Sequence, residues 1–172
     1  RWVEPKEYWE NKPYVMNENH GPRKGIEAYH GRSWIPILSD TDITIHDIHF
    51  ASHTFHEIQM YYPMRAIRDH DWKLIWNIAH PLPYPFASDL WVASSWQAQY
   101  RQSLNAPYGT KTVEEYIYRP RFELYHIAED PEETMNLADD PNQATVLLRY
   151  KEKLKSMQRK FSDPWITKWN YE

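Results

Sequence analysis

No cysteine occurs in the 172 residues, which excludes disulfides, thiolate zinc sites and a cysteine nucleophile within the chain. Only four glycines are present, and no Gly-x-Gly-x-x-Gly, Gly-x-x-x-x-Gly-Lys or Gly-x-Ser-x-Gly sequence is found, so phosphate-cradling loops and a nucleophile elbow are not expected. No run of Lys and Arg exceeds two residues, and the net charge of −4 gives no long-range pull toward phosphate backbones or anionic lipid. Neither nucleic acid nor a membrane is an expected partner. No stretch of about 18 apolar residues occurs, and the mean hydropathy is −0.84. The chain opens on Arg1 without a basic-then-apolar leader, and the expectation is that an N-terminal part is missing.

Aromatic residues are abundant at 16%, with nine Trp and thirteen Tyr, far above what a disordered chain carries. Their amphipathic rings suit a core, an interface or a sugar-facing pocket.

Residues 1–42 hold Pro5, Pro13, Gly21, Pro22, Gly25 and Gly31 with no sustained period, which reads as a connector over something absent. Ser33 to Leu38 is an apolar run ending in the polar turn Ser39 to Asp42. Over residues 43–50 the alternation of Ile43, Ile45, Ile48 and Phe50 predicts a strand with a slip near Asp47. Met64 to Arg68 and Trp72 to Ile78, joined by Asp69-His70-Asp71, predict an antiparallel hairpin. Trp72 and Trp76 are expected to share a face beneath a later helix. Residues 80–110 hold Pro81, Pro83, Pro85 and Pro107 and read as an irregular excursion with a short helix over Ser94 to Leu104. Residues 122–127 alternate again and predict a strand ending at Asp130-Pro131. Asp140, Pro141 and Gln143 then form a capping-box start for a helix over about 141–161, with Leu147, Tyr150, Leu154, Met157 and Phe161 as its apolar stripe. The fold class is α+β: about four antiparallel strands with a C-terminal amphipathic helix on one face.

His46, His49, His53 and His56 recur at helical spacing, but the surrounding residues favour extended chain, which scatters them over two faces. His56-Glu57 lacks the second His of His-Glu-x-x-His. No metal site is therefore expected here. The acidic pairs Glu114-Glu115 and Glu132-Glu133 read as solvated faces.

The motif order is informative. Tyr62-Pro63-Met64-Arg65, then Trp72-Lys73-Leu74-Ile75, then Glu123-Leu124-Tyr125, then Asp130-Pro131-Glu132-Glu133-Thr134-Met135-Asn136-Leu137 before a capped helix resembles the C-terminal subdomain of sulfatases. Gly31-Arg32-Ser33 with Pro36, His56-Glu57 ahead of Met60, Pro83-Tyr84-Pro85 with Asp89, and Asp163-Pro164-Trp165 are similar to one branch, the heparan N-sulfatases or sulfamidases. The resemblance covers about residues 31–165.

It implies that residues 43–172 are a sulfatase C-terminal subdomain and that the catalytic half is elsewhere. The family's nucleophile is a formylglycine made from a Cys or Ser in Cys/Ser-x-Pro-x-Arg, beside a Ca²⁺ held by Asp and Asn, and the motif is absent here. Formylglycine and Ca²⁺ are thus expected in a missing N-terminal domain, with no cofactor and no catalytic residue in this chain. Expected partners are that domain, a sulfated saccharide and, optionally, a second copy in a homodimer. The resemblance implies a lysosomal location in animals and a periplasmic or exterior one in bacteria. His56 and Glu57, with His53, are placed by resemblance beside a glucosamine ring, on a loop over Ser52 to Glu57. The alternative has Glu57 only pairing with Arg65 or Arg68, and Arg65 reads as structural rather than catalytic. Two further readings stay open: a noncatalytic carbohydrate-binding or interaction module, and a sulfatase of another specificity.

Overall fold

The computed structural model describes residues 35–40, 47–56 and 60–171. The chain divides into a unit of residues 1–46 and one of residues 47–172. In the first unit the described element is a short helix, α1 (Ile35–Ser39), within the apolar run.

The second unit is built on a four-stranded antiparallel sheet of β1 (His49–His56), β2 (Met60–Arg68), β3 (Lys73–Asn77) and β6 (Phe122–Tyr125), in that spatial order. The β2–β3 hairpin forms as its alternation predicts. Its turn is fastened by Asp69, whose Oδ1 accepts from the backbone N–H of Asp71 and Trp72 while its own N–H donates to the Trp72 carbonyl at 3.0 Å.

Ile67, Leu74, Trp76 and Leu124 project from one sheet face and are fully buried. α5 (Ala144–Lys160) lies against them through Tyr150 and Leu154, which completes the core. Each fully buried Leu contributes about 1.5–3 kcal/mol of transfer free energy. Trp76 stacks at 4.0 Å on Trp169 of a 3₁₀ segment (Pro164–Tyr171), and Trp72 meets Tyr150 at 6.5 Å, so both tryptophans join this core. The outer side of β6 is not left open. Asn136 accepts from the N–H of Leu124 and donates to the Phe122 carbonyl, and Leu137 N–H donates to the Leu124 carbonyl. The Asn-Leu pair therefore mimics a further strand.

Four expectations need correction. The strand expected over 43–50 is found over 49–56, positions 47 and 48 are not strand, and positions 41–46 lie outside the described residues. The last strand ends at Tyr125, where His126 begins a turn that accepts the N–H of Glu129 and Asp130. The helix start is not a capping box: Asp140 caps the N–H of Asn142 in a 3₁₀ turn (Pro141–Gln143), and Gln143 makes no side-chain cap. Finally, the excursion after β3 is ordered. It holds α2 (Ser88–Val92), α3 (Ser94–Tyr100), the two-residue strands β4 (Pro107–Tyr108) and β5 (Lys111–Thr112), and α4 (Val113–Ile117). Trp96, Ala106, Val113 and Ile117 form a second core there, walled by Phe86, Tyr108 and Tyr116. Gly109, at φ +66° between β4 and β5, takes the left-handed turn that a side chain would strain. A capping box is found instead at α4, where Thr112 and Glu115 satisfy each other's backbone N–H.

Candidate functional site

Of the predicted site residues, His53 and His56 fall on β1. His53 lies in β1 opposite Met64, and Met64 stands opposite Asn77 of β3, so the three form a row across the sheet. That row faces away from α5, because the neighbouring β3 residues Leu74 and Trp76 are the ones that enter the main core. His56 ends the strand opposite Met60 and is exposed. Glu57 lies outside the described residues. The expected loop over Ser52 to Glu57 is instead strand as far as His56. What is irregular is the register: the pair after His53–Met64 is Phe55–Tyr61, so Tyr62 and Pro63 stand opposite Thr54 alone. Proline has no N–H for the ladder, which accounts for the slip at that place.

Around the row the excursion supplies polar and aromatic groups that sequence reasoning missed. Tyr62 packs edge-on against Tyr84 at 5.1 Å, and the Arg119 guanidinium lies over the Tyr84 ring at 3.9 Å. Burial pushes the Tyr62 hydroxyl up to about 12, with Arg119 opposing and Glu123 and Tyr84 adding to the rise. Tyr62 Oη, Asn77 Oδ1 and Arg119 Nε have no hydrogen-bond partner among the described residues. Beside them Glu123 is buried as a carboxylate. Desolvation alone would raise its pKa, but Tyr125 O–H at 2.6 Å, Asn77 Nδ2 at 2.7 Å and Lys111 at 3.4 Å outweigh that and hold it below the ordinary range. The sequence signal for this cluster is thin, because Arg119 sits between Tyr118 and Pro120 with no periodic pattern.

His53 is held toward its neutral form. Partial burial is the main cause, followed by the charges of His56, Arg65 and Arg119. A neutral imidazole both donates and accepts, which suits a hydroxyl-rich ligand. The Arg65 guanidinium is committed to Asp163 and to the carbonyls of His53 and Met64. The alternative in which Glu57 pairs with Arg65 or Arg68 involves a residue outside the described ones.

Among the described residues no group of three or more His, Asp or Glu side chains converges as a cation site would need. Likewise, among the described residues no helix is long and apolar enough to cross a membrane.

No family model matches the chain. It is 35% identical over 140 residues to the human N-sulphoglucosamine sulphohydrolase, a match spanning 79% of this chain and 27% of that protein. In fold it is similar to a 2-O GAG sulfatase, with a TM-score of 0.51 at 18% identity over 83% of this chain and 23% of that one. The chain belongs to the sulfatase family. Its α+β sheet and C-terminal helix are the architecture of a sulfatase C-terminal subdomain. It spans about a quarter of the length of the curated relative it matches.

Proposed function

We propose that this sulfatase subdomain forms one wall of a pocket in which sulfate is removed from a sulfated sugar, specifically the N-sulfoglucosamine of heparan-type glycans. The identity with a human N-sulphoglucosamine sulphohydrolase supports the substrate. The observation that supports the location is the row of His53, Met64 and Asn77 across the sheet, at whose β1 end His53 is kept toward its neutral form by partial burial and the charges of His56, Arg65 and Arg119. In this proposal His56 and Glu57 continue the row onto the glucosamine ring. A carboxylate there accepts from sugar hydroxyls, and an imidazole donates to one or accepts from another.

The described residues do not fit Ca²⁺, and the chain has no Cys/Ser-x-Pro-x-Arg from which formylglycine could be made. Both groups are assigned to an N-terminal catalytic domain as partner, where they would supply the nucleophile and neutralise sulfuryl charge. The role of this chain is to bind and orient the sugar, with no cleavage step of its own.

The decisive experiment is Glu57→Gln in the complete enzyme. Replacing a charged acceptor by an amide weakens bonds of about 1.5–3 kcal/mol each, so kcat/KM should fall by about 10- to 150-fold with the melting temperature unchanged. Normal kinetics with a clear drop in melting temperature would remove Glu57 from the sugar contacts.

The noncatalytic carbohydrate-binding reading is favoured by one feature, the exposed rings of Trp91 and Tyr100, set edge to face at 5.2 Å. A Cys/Ser-x-Pro-x-Arg motif in the reading frame upstream of Arg1 decides for the enzyme, and a start codon close to Arg1 decides for the module.

A further inference from the structure

Arg65 is only 4% exposed, yet nearly every donor it carries is used. Nε and Nη2 donate to the two Asp163 oxygens at 2.6 and 2.9 Å, and Nη1 donates to the carbonyls of His53 and Met64 at 2.8 Å each. The His53 carbonyl lies immediately before the register slip, where the ladder pairing is interrupted opposite Tyr62 and Pro63. A forked, planar guanidinium can bind a carboxylate on one edge and carbonyls on the other, whereas an ammonium cannot match that geometry.

Asp163 is fixed in turn. It follows Ser162, whose φ of 52° reverses the chain just after α5, and it accepts from Gln158 Nε2 at 2.9 Å and from the N–H of Trp165 at 3.2 Å. A path of hydrogen bonds therefore runs from the segment after α5, through one buried ion pair, to the backbone that carries the His53 imidazole.

We propose that Arg65 is a positioning residue for the sugar site: Asp163 fixes its guanidinium, and the guanidinium fixes the His53 carbonyl, so the imidazole keeps its place at the β1 end of the row. The proposal rests on the reading that His53 faces the sugar. It goes beyond a structural ion pair because it predicts a change in substrate binding in enzyme that is still folded.

The test uses Arg65→Lys, Asp163→Asn and His53→Asn in the complete enzyme, assayed at a temperature where circular dichroism shows each to be folded. Arg65→Lys keeps the charge but loses the fork. Both clamp variants are expected to raise KM about tenfold or more while kcat stays within about threefold, the split expected when ground-state contacts are displaced. His53→Asn should raise KM in the same direction. If His53→Asn raises KM and folded Arg65→Lys does not, the positioning role is wrong and the sugar site stands. If His53→Asn leaves KM unchanged, the site reading fails and takes this proposal with it. Should Asp163→Asn not fold, Asp163→Glu keeps the charge and displaces it by one methylene, and a folded Asp163→Glu enzyme with the wild-type KM also overturns the proposal.

Discussion

Arg65 and Asp163, 98 residues apart in the chain, meet as a buried two-bond ion pair at 2.6 and 2.9 Å. Removing one partner leaves the other charged and desolvated, at a cost of about 3–5 kcal/mol. Asp163→Asn should therefore lower the urea unfolding free energy by that amount. The pH dependence has a definite sign. Burial would raise the pKa of Asp163, but the hydrogen bonds from Arg65, Gln158 and the Trp165 N–H bring it below the usual value. A depressed carboxylate pKa stabilises fully above the unfolded value near 3.8 and less as pH falls through the folded one. An acid titration should show this loss in the wild type and its absence in Asp163→Asn.

Leu154 has no exposed surface and sits where α5 meets the sheet. Leu154→Ala should cost about 2–5 kcal/mol, measured by denaturant unfolding, because the fixed sheet cannot collapse fully into the cavity. A cost under about 1 kcal/mol would show that the helix is not anchored there.

Asp69 links the β2–β3 turn to α5, accepting from the Tyr150 hydroxyl and from Lys153 Nζ at 2.9 Å. Burial would raise its pKa, yet these bonds, with those from the N–H of Trp72 and Asp71, bring it to about 2. Tyr150→Phe keeps the ring and removes one bond to a charged acceptor, so stability should fall by about 1.5–3 kcal/mol at neutral pH. Because the stabilising form is the carboxylate, the wild-type advantage is complete above about pH 4 and disappears toward pH 2. Melting temperatures of the two proteins should converge across that window.

Calcium supplies a further check on where the chemistry resides. Calorimetry on the 172-residue chain should show no tight stoichiometric Ca²⁺ binding, since hard cations need several converging oxygens and the described residues present no such cluster. Stoichiometric micromolar binding would place a metal site in this chain and overturn the assignment of the metal to another domain.

How much was legible in the sequence depended on how local the signal was. The β2–β3 hairpin and α5 could be read because alternation and three-or-four spacing each lie within one short window. The first strand was misplaced because His49 to His56 mixes polar and apolar residues, with a burial pattern that does not alternate. The excursion looked irregular because its order comes from aromatic packing around Trp96, which leaves no period in a proline-rich segment. The Arg65–Asp163 pair could not be read locally, since its two halves lie almost a hundred residues apart. The one available hint was an arginine in the middle of an apolar strand, flanked by Met64, Ala66 and Ile67. Glu57, the residue on which the proposed sugar contact most depends, rests on the resemblance.

The stacking of Trp76 on Trp169 also bears on how the chain is made. A ribosome emits the central strand long before the segment that covers its largest buried ring. At about 5–20 residues per second, several seconds of synthesis separate the two. During that interval the nascent sheet displays an uncovered indole, a surface that holding chaperones recognise. Loss of the chain from Phe161 onward would make that exposure permanent, so a stop codon at that position should mark the product for degradation.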